Sequence, residues 1–205
     1  GELMPLFITI RNGGREYLDI VQHGNERVLK ARLEDAQFFF NEDRKKSLEQ
    51  HRDKLKTVVF QEGLGSIYEK TERLEKLSTL IADLINISAE DKTNAIRAAQ
   101  LSKADLVTGM VTEFTELQGI MGREYAKLDG EDAAVSTAID EHYMPRFAGD
   151  SQPKTTAGRI VSLADKIDNI VATFSRGLIP TGSQDPFALR RQALGIVNMI
   201  IEAKW

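Results

Sequence analysis

The chain has 205 residues, of which 41% are hydrophobic and 28% charged, with a formal net charge of -4. That length can bury a full core, and the composition excludes an intrinsically disordered chain. The acidic balance excludes recognition of nucleic acid through a wholly basic face, so any RNA contact is confined to a local basic strip or shared with another domain.

No apolar run approaches the roughly 20 residues that cross a bilayer. The opening Gly1-Glu2-Leu3-Met4-Pro5 has neither the basic nor the apolar segment of a signal peptide. With no cysteine there is no disulfide framework and no thiolate metal site. These features fit a cytoplasmic protein away from membranes.

In chain order, Phe7-Ile8-Thr9-Ile10 is β-branched and aromatic, and Asn12-Gly13-Gly14 follows as a turn. A short N-terminal strand is expected there, with residues 1–24 closing a preceding domain or serving as a linker. Asn25 is placed to cap a helix opening near Glu26, with Val28, Leu29, Leu33, Ala36 and Phe40 at helical spacing. A second, basic helix is expected over 42–56, so that 25–62 forms a helical connector. Val58-Val59-Phe60 reads as either a brief strand or a packed connector.

Residues 63–205 read as one helical domain. Ser66 and Glu69 have capping-box spacing ahead of Ile67, Leu74, Leu77, Ile81, Leu84 and Ile85, and Ser88 with Asp91 repeats the device. Further helices are expected near 105–110, 117–125 and 131–143. The prolines and glycine of 144–153 make a loop before the apolar face of Ile160, Leu163, Ala164, Ile167 and Val171. Asp185-Pro186 predicts a last helix over about 187–202, since the carboxylate caps free N–H groups and proline lacks one. The ends are abrupt, which points to an internal piece of a longer protein. The fold class is mainly α.

Several blocks, in order along the chain, resemble the β subunit of bacterial glycyl-tRNA synthetase. They are Asn25-Glu26-Arg27-Val28, Ala31-Arg32-Leu33, Asp35-Ala36-Gln37-Phe38-Phe39-Phe40, Asp43-Arg44-Lys45, Lys103-Ala104-Asp105-Leu106-Val107-Thr108 and Gln118-Gly119-Ile120-Met121-Gly122. The block from His142-Tyr143-Met144-Pro145-Arg146 to Asp150 and Asp185-Pro186-Phe187-Ala188-Leu189-Arg190-Arg191 complete the set. The resemblance implies a tetramer of two α and two β subunits that joins glycine to tRNA(Gly). The α subunit would hold ATP and Mg²⁺, and β would supply most of the tRNA binding. No cofactor and no catalytic residue is expected in this chain.

The second half is also similar to HD-type domains, helical metal-dependent phosphohydrolases. The similarity lies in Glu141-His142-Tyr143 with Gly149 and Pro153, and in Gly158-Arg159-Ile160 through Asp165-Lys166-Ile167-Asp168. It implies an HD-like helical bundle in which Asp105, His142, Asp165 and Asp168 are remnants of an ion-holding cluster. The pattern departs at decisive places: there is no His-Asp pair, Ala104 precedes Asp105, and the first ligand position falls near Lys70. An ammonium where a ligand should sit repels a divalent ion, so no bound metal is expected. The alternative for Asp165 and Asp168 is a polar helix face or a hydrogen bond to a neighbouring helix end.

Arg27, Lys30 and Arg32 on the first long helix, and Arg44, Lys45 and Lys46 at the start of the second, are candidate contacts to RNA phosphates. The interleaved Glu26, Glu34, Asp35, Glu42 and Asp43 could instead pair with them locally. Three consecutive aromatics, Phe38-Phe39-Phe40, cannot share one helix face, so at least one is available for packing elsewhere or for stacking on a base. Arg190 and Arg191 in a first helical turn oppose the helix dipole and call for a partner, either an acidic side chain or an RNA phosphate. The favoured role is a non-catalytic module that positions tRNA and assembles subunits. The alternatives are an active HD-type phosphohydrolase and a structural spacer.

Overall fold

A computed structural model describes residues 4–147, 149–182 and 184–205. Residues 1–3 of the opening segment and Ala148, within the block that follows His142, therefore lie outside the described residues. Nine α-helices are present among those described: α1 (Leu18–Asp43), α2 (Leu48–Arg52), α3 (Ile67–Leu84), α4 (Ala89–Leu101), α5 (Gly109–Glu113), α6 (Ile120–Leu128), α7 (Ala133–Glu141), α8 (Thr156–Ser175) and α9 (Leu189–Ala203). None is long and apolar enough to cross a membrane.

The expected mainly helical class holds, but the N-terminal strand does not form. Phe7-Ile8-Thr9-Ile10 forms no regular element and has no ladder partner among the described residues, and Ile8 and Ile10 are more than 90% exposed. β-branched residues favour extended backbone, but a strand also needs a neighbour for its N–H and C=O groups. Among the described residues the one β-bridge is Val59 with Ser66, which settles Val58-Val59-Phe60 as a connector pinned at a single bridge. The first helix opens at Leu18 rather than near Glu26, so Asn25 lies inside it instead of capping it. The helix expected over 42–56 is split. Arg44 ends α1, Ser47 and Gln50 form a capping box for α2, and a 3₁₀ turn covers Asp53–Thr57.

Local chemistry explains the boundaries that were read correctly. Ser66 accepts from the Glu69 N–H while Glu69 accepts from the Ser66 N–H at 2.6 Å, a full capping box at the start of α3. Ser88 accepts from the Asp91 N–H at 3.0 Å at the start of α4. The helix expected near 105–110 is interrupted at Thr108, whose hydroxyl caps α5 after a 3₁₀ turn over Ala104–Val107.

The core lies where α3, α4, α7 and α8 pack on one another, with α6 against α7 and α9 along α8. Leu74, Leu101, Ile139, Ile160 and Val161 are fully buried there among alanines of α4 and α8. Small residues on facing helices let the backbones approach closely, so the larger side chains interlock with little void.

Helix α1 is anchored to this bundle by its last turns, with Arg32 reaching Glu113 further up the helix. The Asp43 carboxylate, 7% exposed, accepts from the N–H groups of Gly109 (2.7 Å) and Met110 (2.9 Å) and from the Tyr125 hydroxyl (2.9 Å). Phe40 stacks on Tyr125, with centroids 5.8 Å apart. A buried carboxylate that gathers three donors is worth far more than an exposed ion pair, and its loss strands those donors. We expect Asp43→Ala to cost about 3 kcal/mol or more, and Tyr125→Phe about 1 kcal/mol. Urea unfolding of the two variants measures this, and equal effects would show that Asp43 is not the anchor.

Candidate functional site: an ion cluster filled by lysine

Of the four positions singled out for metal chemistry, Asp165 and Asp168 share one cluster with buried cations, whereas Asp105 and His142 bond elsewhere. Lys70 on α3 is 2% exposed, and Lys103, Asp165 and Asp168 are each 6% exposed. The Lys70 ammonium lies 2.9 Å from Asp165 Oδ1 and 2.9 Å from Asp168 Oδ2, and donates to Asn169 Oδ1 at 2.8 Å. Lys103 donates to Asp165 Oδ2 at 3.2 Å. Arg73 completes the set with a fork onto Asp168, at 2.6 and 3.1 Å. Two aromatic faces back the ammoniums, Phe60 at 4.6 Å from Lys70 and Tyr143 at 4.0 Å from Lys103.

The electrostatics follow from burial and neighbours. Burial alone pushes the Asp165 carboxyl upward, but the ammoniums of Lys103 and Lys70 outweigh it and hold the group far below the usual carboxylate range. Burial likewise opposes ionisation of Asp168, and Arg73 and Lys70 bring it down. Lys103 is pulled downward by burial, with Asp165 resisting. The cluster is therefore an internal salt lattice in which each acidic oxygen faces a cation.

The remaining remnant positions are committed elsewhere. The carboxylate of Asp105, fully buried, accepts from the N–H groups of Gly119 (2.6 Å) and Gly122 (3.1 Å), and so caps α6. Gly119 has a φ of +81° and lies against the Tyr143 ring, a turn that a side chain would disrupt. Glu141 accepts from the N–H groups of Lys154 (2.9 Å) and Thr155 (3.0 Å) and from the Thr155 hydroxyl, fixing the start of α8. His142 is fully buried, and its Nδ1 lies 2.6 Å from the Ile139 carbonyl. That contact places the proton on Nδ1 and leaves Nε2 as a lone-pair acceptor. Burial, with Lys103 nearby, keeps the ring neutral.

Among the described residues no group of three or more His, Asp or Glu side chains is placed to hold a metal ion. A divalent ion at Asp165 would have to displace two ammoniums already within ion-pair distance, so the residues present do not fit the metal that the HD resemblance implies. Sequence reasoning saw the ammonium near the first ligand position, Lys70, as repelling a metal and missed that Lys70 and Lys103 both pair with Asp165. The signal was available, because both stand at or beside ligand positions.

The candidate RNA contacts are scattered and unequal. Arg27 is exposed on α1. Lys30 lies 3.9 Å from Glu34, Arg32 is bound to Glu113 and stacks over Phe114 at 4.5 Å, and Lys45 pairs with Glu42. Arg44, Lys45 and Lys46 do not begin the second helix; they form the turn after α1, with Arg44 over the Phe40 ring at 5.5 Å. Of the three aromatics, Phe38 is 59% exposed, while Phe39 lies against Gly109 and Phe40 on Tyr125.

At the other end, α9 begins at Leu189 instead of residue 187, because Ala188 takes a left-handed conformation with φ of 52°. Asp185 still caps it, accepting from the N–H groups of Leu189 (2.8 Å) and Arg190 (3.0 Å). Of the two partners considered for Arg190 and Arg191, an acidic side chain is not within ion-pair distance of either among the described residues. Arg190 donates to the carbonyls of Thr181 and Gly182, and Arg191 to that of Arg146 at 3.2 Å. Asp185 is consumed by backbone donors, which leaves the guanidiniums to carbonyl oxygens.

Two measurements check this picture. Asp165→Asn removes one charge from between two buried ammoniums, and we expect a loss of about 3–5 kcal/mol in urea unfolding; a loss under about 1 kcal/mol would mean that the lysines are not buried with it. Burial raises the Asp105 carboxyl to about 6 despite its backbone donors. Because the folded value lies above the unfolded one, the folded form holds this proton more tightly, and the corresponding stability is present at low pH and lost as pH rises through about 6. Relative to Asp105→Asn, the natural chain is expected to lose up to about 3 kcal/mol between pH 4 and 7. A pH-independent difference would contradict the assignment.

Comparison with known proteins agrees with the order of the sequence blocks. Residues 1–205 match the family described as glycyl-tRNA synthetase beta subunit. The chain is 60% identical over 204 residues to the glycine–tRNA ligase beta subunit of Clostridioides difficile (strain 630), covering 100% of this chain and 30% of that protein. It is 56% identical to the corresponding subunit of Halothermothrix orenii, again over 100% of this chain and 30% of the relative. For that of Geobacter sulfurreducens the identity is 57% over 202 residues, 98% of this chain and 29% of the relative. The chain thus spans about 30% of the length of these relatives, and it belongs to the glycyl-tRNA synthetase beta subunit family.

Proposed function

We propose that this part of the β subunit is a non-catalytic module that positions tRNA(Gly) and supports assembly, serving the ATP-dependent attachment of glycine to tRNA in the cytoplasm. The carrying observation is that the ammoniums of Lys70 and Lys103 both lie at ion-pair distance from Asp165, so a divalent ion there would have to displace two cations before it could activate a water. What remains is surface. ATP and Mg²⁺ belong in this reading to the α subunit, and the working assembly is two α and two β subunits, with the second β as a further partner.

The surface supports both halves of the role. Arg27, Arg44 and Lys46 are exposed and, among the described residues, outside ion-pair distance of any carboxylate, so their charge is available to RNA phosphates. Phe38 adds an exposed ring on the same helix that carries Arg27. Arg32, Lys30 and Lys45 have acidic neighbours and are weaker candidates. For assembly, Val28 and Leu33 on α1 and Leu194, Val197 and Ile201 on α9 are each more than 50% exposed. Apolar side chains concentrated on two helices suit contacts with other parts of the enzyme.

In the complete enzyme, Arg27→Glu with Arg44→Glu should weaken tRNA(Gly) binding by about tenfold or more and lower the salt dependence of binding by about two phosphate contacts. The melting temperature should not change. Filter binding across a salt series reads both quantities. Unchanged affinity and slope would favour the spacer role instead.

A further inference from the structure

Beside the lysine-filled cluster lies a cleft of about 420 Å³, bounded by α8, the first turn of α9, the loop after α7 and the turn at Lys103. Its charged lining is Lys103, Arg146, Lys166 and Arg191 against the single carboxylate of Asp165. That carboxylate is already matched by Lys70 and Lys103, and Arg146 is bound to Asp140, which Arg123 also reaches at 2.6 Å. Two cations are left over. Lys166, 5% exposed, donates only to the Met144 carbonyl (2.7 Å) and the Ser162 hydroxyl (2.6 Å). Arg191 donates only to the Arg146 carbonyl at 3.2 Å. Among the described residues neither lies within ion-pair distance of a carboxylate, and the nearby Asp185 is occupied by the backbone of α9.

A buried ammonium that faces only neutral oxygens is costly, and burial brings Lys166 down to about 8. An anion in the cleft would offset that cost. Besides Asp165 Oδ1, which has the Lys70 ammonium at 2.9 Å but accepts no hydrogen bond, two groups on the same lining lack partners among the described residues: His142 Nε2, an acceptor on a fully buried ring, and the Tyr143 hydroxyl, a donor. Cations for charged oxygens, a hydroxyl donor and one neutral acceptor together suit a phosphate carried on a hydroxylated group. A cleft of this volume exceeds a lone phosphate and has room for an attached sugar.

We infer that this cleft is a binding site for the phosphate of a sugar-phosphate unit, held by Lys166 and Arg191 with the Tyr143 hydroxyl as a neutral donor. The unit comes either from a small phosphorylated molecule or from an RNA chain. Binding is not followed by hydrolysis, since no group in the cleft is placed to activate water through a metal. The site is separate from the α1 surface of the RNA reading, and either can fail while the other stands.

The test is calorimetric titration of the chain with inorganic phosphate, then with adenosine 5′-monophosphate, and competition of each with an acceptor-stem RNA hairpin. Saturable binding with a dissociation constant of about 1 mM or tighter is expected. Arg191→Glu, on an exposed side chain, should weaken it by about tenfold or more at an unchanged melting temperature. The charge-matched control Lys54→Glu, exposed on another part of the chain, should leave it unaltered, and Lys166→Met gives a second reading from the buried side. Displacement of the hairpin by phosphate identifies RNA as the source, and simultaneous binding identifies a small molecule. Absence of saturable binding, or equal loss in Arg191→Glu and Lys54→Glu, overturns the proposal.

Discussion

The Asp165 carboxylate, held between the ammoniums of Lys70 and Lys103, is the interaction on which the rest depends. In a protein interior an isolated charge is expensive, and close opposite partners offset that cost. The three groups come from α3, from the turn after α4 and from α8, so satisfying them fixes how those elements meet. Asp168, with Lys70 and Arg73, extends the same lattice along α8. The cluster thus fixes the relative positions of these three elements.

The same use of acids recurs through the molecule and shapes its surface. Asp43 gathers the start of α5, Asp105 the start of α6 and Glu141 the start of α8. Among the described residues six acidic side chains are buried, against three lysines. Most of the net charge of -4 is therefore internal, and the exterior is close to neutral. A chain that is formally acidic can in this way present exposed arginines on α1 and a cleft with unmatched cations beside α9.

Periodicity and capping chemistry made much of the fold legible. Ser66 with Glu69 and Ser88 with Asp91 mark helix starts through local hydrogen bonds, which depend little on the rest of the chain. The failures have a common origin in non-local partners. Phe7 to Ile10 has the side chains of a strand but no neighbour to pair with, and α1 opens seven residues before Asn25 because its start uses no side-chain cap. For Arg190 and Arg191 an acidic side chain was one of two expected partners, yet Asp185 is taken up by the backbone of α9. Within the candidate site, Asp105, His142, Asp165 and Asp168 were visible as residue types, whereas their division between helix caps and a lysine lattice depends on distances that spacing does not encode. Lys166 and Arg146 gave no signal of their own.

The central claim is that ammonium groups stand where a divalent ion would have to bind. Diffraction from crystals grown in millimolar Mn²⁺, recorded near the manganese edge, tests it most directly. The account predicts no anomalous peak near Asp165 and nitrogen-to-oxygen separations of ion-pair length from Lys70 and Lys103. A peak coordinated jointly by Asp105, His142 and Asp165, with the lysines turned away, would contradict it.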